Sequence, residues 1–522
     1  MKKILFTLAA CTALTAHAQQ PLGRQPQVVS NYRSIVHGEG NQPIAVEGLK
    51  ARMDRAESTR RKAARKAPKA IEPMITTLWA QDSPFNRQLP SLGGLWGSTP
   101  QTGCVATAMA QVLNYFEYPA ASTGKGSYST NGSSWRKVDT KTTFAWDQML
   151  DRYTIGYSDA QMKAVGELMR DCGYCANMVY TTQGSGTTAY DAGYGITHNM
   201  QYDSLSIQVV NRMYYHDNEW KEMVYNELQA GRPIMYDAVD PTHKMGHAFV
   251  LDGMSADGKV HVNWGWGGTS NGYYDLDKLA PSYTDPYGQQ PISYNFSSEQ
   301  KMIIGFKPQS TPDADEKYKS FFGMQEEDAI WIEDDQVMLK QTPIFNFSHL
   351  CFNGLLALVI EGEDGHGVVL PFFYSRWENN MEFSFMDGLL PAEYFYPSAT
   401  LNDTDGKTPR PDGHYLLYLI SWSTQEMAGD LMPQYIRVPA KYFAENEENF
   451  GVWEADIVGG HWDAKSVKRC KIAKEEGETE TGIQSTANQQ PTDAPAFNLA
   501  GQRVGTQYKG IVVRGGKKFL MK

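Results

Sequence analysis

The chain has 522 residues, 41% of them hydrophobic, and a formal net charge of −11. That length exceeds one ordinary domain and calls for three or four units, with ample apolar material for buried cores. A mildly acidic chain without a dominant basic patch argues against nucleic acid as the main partner. Aromatic residues reach 12%, with 29 Tyr and 12 Trp, a bias suited to sheet-rich exported proteins.

Residues 1–18 open with Met1-Lys2-Lys3, continue through the apolar run Ile4–Ala10 and end at Ala16-His17-Ala18. A basic start, a short apolar core and a small-x-small end predict a signal peptide cleaved after Ala18. Leu8-Ala9-Ala10-Cys11 resembles a bacterial lipoprotein box, an alternative reading of the same stretch. The apolar run is too short to remain as a membrane span, and no other segment could cross a bilayer. The expectation is a protein that is secreted or held at a bacterial cell surface. Six cysteines are present, five of them after the signal, so at least one thiol is left unpaired and a disulfide scaffold is excluded.

Residues 19–72 are polar and read as a pro-segment. They contain a weakly amphipathic helix over 47–66 that closes on Arg60-Arg61-Lys62-Ala63-Ala64-Arg65-Lys66. The basic stretch serves equally as a solvated linker or as a protease-sensitive end. Residues 73–308 hold the densest motifs. Apolar residues at helical spacing (Val105, Met109, Val112, Leu113, Phe116) predict a buried helix that starts at Cys104 and stops before Pro119. Further helices are expected over 159–170 and 218–230. Short strands follow at 233–236, 248–251 and 260–264, an α+β order. Residues 309–474 read as a β-sandwich, with strands at 354–360, 367–372, 414–420 and 435–438. Residues 475–494 are a low-complexity linker. Residues 495–522 form a short C-terminal module of two or three small strands.

Cysteine attack on a carbonyl needs a thiolate, a base and a donor for the developing oxyanion. Cys104 stands at a helix start, where unpaired N–H groups and the helix dipole favour negative charge, and Gly103 leaves the sulfur uncrowded. His247 heads a strand 143 residues later, and Asn263 follows 16 residues after it on the next strand. Adjacent antiparallel strands would set Asn263 beside His247 to orient the imidazole, with Trp264 and Trp266 covering that bond. His243 reads as exposed, and His261 shares the face of Asn263. These three histidines lack the Cys or carboxylate spacing of a metal site, so neither metal nor organic cofactor is expected.

Thr102-Gly103-Cys104-Val105-Ala106-Thr107-Ala108-Met109-Ala110-Gln111 resembles the nucleophile segment of the streptopain family of bacterial secreted papain-like cysteine peptidases. Gly231–Tyr236, Gly246–Val250 and His261–Gly268 resemble that family too, in its order. The resemblance implies a papain-like fold made of a helical half and an antiparallel-sheet half, and a zymogen that hydrolyses protein or peptide substrates, expected to be a monomer. It implies Cys104 as nucleophile, His247 as general base and then acid, Asn263 orienting His247, and Trp264 shielding them. Trp79–Asn86 is similar to the family segment that supplies the oxyanion-hole glutamine, which assigns Gln81. Met178-Val179-Tyr180 and Gly184-Ser185-Gly186 look like the family's cleft wall and are expected to contact substrate backbone; Ser185, Gly186 and Trp266 are the expected substrate-binding residues. Gly267, Gly268 and Gly272 would form a mobile loop over it. A Cys-His-Asn acyltransferase or amidase, and a non-catalytic surface adhesin, are the competing readings. The pair Cys172–Cys175 reads as a redox pair, a local disulfide or two core thiols. The C-terminal module resembles sorting segments for type IX secretion on exported Bacteroidetes proteins; a plain β add-on is the alternative.

Overall fold

In the computed structural model, the described residues are Leu49, 69–93, 98–283, 292–308 and the named parts of 321–474 and 496–521. The expected signal peptide, the linker and nearly all of the pro-segment lie outside them. Two separate units are present, 1–477 and 478–522.

The helical half of the first unit contains α1 (Cys104–Phe116), α2 (Asp159–Cys175) and α3 (Ala189–His198). Sequence periodicity locates α1 and the start of α2. The start of α2 is set by a reciprocal cap: Gln161 N donates to Ser158 Oγ at 3.2 Å and Ser158 N donates to Gln161 Oε1 at 2.8 Å. Helix α3 was not expected, because Gly193 and Gly195 mimic a loop. The second glycine is required by packing: a Cβ there would lie 2.5 Å from the Cys175 carbonyl oxygen. Strands β1 (Lys125–Ser129), β2 (Trp135–Asp139), β3 (Met178–Tyr180) and β4 (Ser185–Gly186) add a sheet in the order β2-β1-β3-β4, also unforeseen. Strands β2 and β4 are its edges. Cys172 and Cys175 are free thiols buried on α2, where burial pushes both well above the usual thiol range. They are core residues.

The sheet half comprises β5 (Gln208–Asn211), β6 (Ile234–Asp240), β7 (Met245–Met254), β8 (Val260–Asn263), β9 (Gly272–Tyr274) and β12 (Ser298–Ile304), plus a small pair, β10 (Ser282–Tyr283) with β11 (Ile292–Ser293). The six-stranded sheet runs β5-β12-β6-β7-β8-β9, antiparallel throughout. Helix α4 (Asp217–Gln229) packs on β6 and β7, its Trp220 donating to Tyr236 Oη at 2.9 Å. One continuous core joins α1 to this sheet through Val105, Met109, Phe249 and Val250.

The third region is a sandwich, as its strands divided by Gly, Asp, Asn and Pro turns suggest. Its large sheet contains β17 (Gly354–Gly362), β18 (Gly367–Ser375), β20 (Gly413–Ser423), β21 (Gln434–Tyr435), β22 (Val452–Val458), β23 (His461–Trp462) and β24 (Lys468–Arg469). Its small sheet contains β13 (Phe322–Met324), β16 (Ile344–Asn346) and β19 (Gly388–Leu390), beside the hairpin of β14 (Ile330–Glu333) and β15 (Gln336–Leu339). Leu356, Leu358 and Ile360 share a core with Phe322, Met324 and Ile344.

The sandwich is bonded to the preceding region. Phe347, directly after β16, inserts into the core of the first region, with ring centroids 5.0 Å from Tyr214 and 6.1 Å from Tyr190 of α3. Asn449, 2% exposed, donates to the Tyr214 carbonyl at 2.6 Å. The Arg437 guanidinium lies over Tyr215 at 5.3 Å. The second unit is a four-stranded sheet, β25 (Ala496–Asn498), β26 (Arg503–Val504), β27 (Gly510–Arg514) and β28 (Lys517–Met521), ordered β26-β25-β27-β28. It has four strands rather than two or three, because Arg503-Val504 pairs as a strand of its own.

Truncating a buried phenylalanine in such a junction should cost about 3–5 kcal/mol. Phe347→Ala is expected to lower, by that amount, the urea stability of the transition that unfolds the Cys104-bearing region. A loss under about 1 kcal/mol would show that the junction is not part of that core.

Candidate active site

Cys104 is the first residue of α1 and retains 9% exposure. Its N-cap is Gly103 at φ 87°, with no side-chain cap hydrogen bond, so no side chain covers the first-turn N–H groups at the sulfur. A Cβ on Gly103 would lie 3.0 Å from both the Met178 sulfur and the Ser185 carbonyl oxygen, so strand β4 passes closely over the helix start. Ser185 Oγ donates to the Gln101 carbonyl at 2.7 Å, and Thr102 N donates to the Gln81 carbonyl at 3.0 Å. These bonds converge three segments, around Gln81, Gln101–Cys104 and Ser185-Gly186, on the N-terminus of α1. The half-buried Gln81 side chain forms no hydrogen bond to another described residue. The Ser185 hydroxyl donates its hydrogen to the scaffold, and β4 lies at one edge of its sheet.

His247 lies on β7, 5% exposed, one residue before Ala248. Ala248, Val105, Met235 and Ala189 line one small cavity between α1, α3 and the sheet, so the helix start carrying Cys104 and the strand head carrying His247 abut. His247 Nε2 is 2.9 Å from the Trp264 carbonyl oxygen. A carbonyl only accepts, so Nε2 carries the hydrogen and Nδ1 is the basic nitrogen. Burial pulls the imidazole down to about 4, and the Trp264 carbonyl opposes that shift. Trp266 stacks on the ring with centroids 4.8 Å apart, and Trp264 lies nearly parallel at 6.2 Å. Trp266, rather than Trp264, is the closer cover.

Asn263 differs from expectation. The register pairs it with Val250, not with His247, and its amide is used elsewhere. Nδ2 donates to the Thr77 carbonyl at 2.8 Å, while Oδ1 accepts from Gly265 N at 3.1 Å and from Gln111 Nε2 at 3.4 Å. Asn263 therefore secures the turn that presents the Trp264 carbonyl, and the carbonyl holds the imidazole. The reason is geometric: opposite residues in an antiparallel pair are fixed by register, and Asn263 sits three residues along from His247. Gln111 and Thr77 were unassigned in the sequence. The available signal was Gln111 itself, a buried amide seven residues after Cys104 and hence on the same helix face. Thr77 Oγ1 donates to its Oε1 at 3.0 Å.

The other histidines of this region have separate partners. His243 Nδ1 meets Asp240 at 2.8 Å and His261 Nδ1 meets Asp252 at 2.6 Å. Asp252, fully buried, also accepts from Ile75 N at 2.9 Å, so His261 belongs to a clasp on residues 71–75, away from His247. Among the described residues no group of three His, Cys, Asp or Glu is placed to hold a metal ion. Among the same residues no helix is long and apolar enough to cross a membrane. The glycine loop after Trp264 is fastened by Gly267 N to the Trp79 carbonyl at 3.0 Å and by Trp264 N to Asn271 Oδ1 at 3.1 Å.

Residues 79–274 match the Peptidase C10 family. The thiol protease/hemagglutinin PrtT of Porphyromonas gingivalis is 34% identical over 260 residues, 48% of this chain and 29% of that protein. Streptopain of Streptococcus pyogenes is 31% identical over 220 residues, 41% of this chain and 54% of that protein. The chain thus spans about half or less of the length of these curated relatives. The solved active wild-type interpain A cysteine protease of Prevotella intermedia is 35% identical, covering 45% of this chain and 94% of that one, with a TM-score of 0.40. The matched span contains Gln81, Cys104, His247, Asn263 and Trp264, and through it the chain belongs to the Peptidase C10 family.

Proposed function

We propose that the protein is an exported cysteine endopeptidase, made as a zymogen, that hydrolyses protein substrates through an acyl-enzyme on Cys104. The observation that carries this reading is a thiol at an uncapped helix N-terminus abutting a strand whose histidine is held in a defined tautomer by a backbone carbonyl. In this reading the Sγ proton passes to His247 Nδ1, and the thiolate attacks the scissile carbonyl carbon. The oxyanion is received by the Gln81 side-chain N–H and the Cys104 backbone N–H. His247 Nδ1–H then protonates the leaving amine, a water deprotonated by the same nitrogen attacks the thioester, and the thiol is regenerated. Asn263 and Gln111 act as positioning residues, and Trp266 keeps water from the imidazole face. Substrate backbone pairs with the β4 edge at Ser185-Gly186. Residues 1–18 direct export and 19–72 are the pro-segment; the chain works as a monomer at the cell surface or beyond.

Burial disfavours a lone imidazolium, so the ring gains its charge together with the thiolate rather than before it. This gives a direct test. In Cys104→Ala, whose thiolate is gone, NMR should show the His247 ring neutral down to about pH 4. An imidazolium already present at pH 6 in that variant would contradict the coupling. Because the folded value lies below the ordinary 6.5, the folded state binds fewer protons between those pH values, and stability falls as pH drops from about 6.5 to about 4.

Cys104→Ala should abolish cleavage of denatured protein under reducing conditions while leaving the circular dichroism spectrum unchanged; residual turnover above background would sink the mechanism. Gln81→Ala should lower kcat by roughly 10²–10³-fold with little change in KM, the loss typical of one oxyanion donor. An unchanged kcat would remove Gln81 from the site.

A further inference from the structure

The central strands of the large sandwich sheet are apolar on both faces. On β17, Leu356, Leu358 and Ile360 point to the small sheet, while Ala357 and Val359 point the other way with Tyr418 and Ile420 of β20. A sheet apolar on both faces needs a cover on each. On the second face part of that cover comes from far away in the sequence. Leu49 is fully buried among Val359, Tyr418, Phe450, Val452 and Ile472. Its backbone N–H donates to Glu361 Oε2 at 2.7 Å, and the Tyr418 hydroxyl donates to the same oxygen at 2.9 Å. Glu361 is itself fully buried. A buried carboxylate must be met by donors, and here a pro-segment amide is one of them, 312 residues away in sequence.

Among the described residues the chain is next held at Lys69, whose N–H donates to Tyr225 Oη at 3.5 Å, and at Ile71, whose N–H donates to the Met254 carbonyl on β7 at 2.7 Å. The basic stretch Arg60–Lys66 lies in sequence between Leu49 and these anchors.

We propose that the second face of the β-sandwich is the docking site of the chain's own pro-segment, with Leu49 as the anchor, and that it retains the pro-segment after cleavage in the basic stretch. The proposal rests on the reading of residues 19–72 as a pro-segment and does not require the chain to be an active peptidase. Cutting between the anchors leaves each side attached by its own contacts, so cleavage and release are separate events. The sandwich then acts as holder of the pro-segment rather than as a passive appendage.

The test uses the full chain after the signal, carrying Cys104→Ala so that no self-cleavage intervenes. Limited trypsin cuts the basic stretch, and native size-exclusion chromatography with intact-mass analysis follows the N-terminal piece. The piece is expected to co-elute with the remainder, and Leu49→Asp should reduce the co-eluting fraction at least tenfold. To avoid dependence on that variant's folding, a synthetic peptide of residues 44–54 is added in excess to the cut, unsubstituted chain. It should displace the bound piece, and the same peptide with Asp at position 49 should not. A piece that elutes alone from the unsubstituted chain overturns the proposal. So does displacement by both peptides, by neither, or retention unaffected by Leu49→Asp. Absence of peptidase activity in the native Cys104 chain would instead overturn the catalytic reading and leave this result standing.

Discussion

The buried amide of Asn263 joins the parts on which the site depends. It is 1% exposed and contacts the Thr77 carbonyl, the Gly265 amide and Gln111 of α1. One side chain thus links the entry segment, the helix bearing Cys104 and the turn bearing the Trp264 carbonyl. That carbonyl fixes the proton on His247 Nε2. Loss of one member of a buried polar network strands its partners in a medium that cannot solvate them, so helix and sheet halves are coupled through this cluster as well as through apolar packing.

Electrostatics and packing act together around His247. The aromatic cluster of Trp264, Trp266, Phe249 and Phe296 surrounds the ring, and the resulting desolvation holds it near 4. The same low-dielectric setting strengthens attraction between an imidazolium and an adjacent thiolate. In the proposed mechanism this setting would favour a concerted appearance of both charges over a permanently charged histidine.

The sandwich is continuous with this assembly. Phe347 fills the core beneath Tyr190, and Tyr190 adjoins Ala189 at the cavity shared with Val105 and Ala248. A change in the sandwich junction thus has a short packed route to α3 and the wall near Cys104, with coupling carried by close-packed side chains.

The primary sequence by itself marked many of the elements, though not α3 or the sheet of β1–β4, and the residue types of the candidate site. Periodicity located α1 with Cys104 at its start, and short apolar runs bounded by turn residues located the sandwich strands and those that carry His247 and Asn263. Resemblance added Gln81, and the tertiary structure set its segment against Thr102. Helix α3 stayed hidden because two glycines interrupt its pattern, one of which, Gly195, is required by a long-range contact with Cys175. The partner of His247 was decided only by strand register, a non-local property that places Asn263 opposite Val250 and hands the imidazole to a backbone carbonyl with no sequence signature. Likewise no local pattern tells that Leu49 meets Glu361; only the folded sheet, with two apolar faces to cover, brings them together.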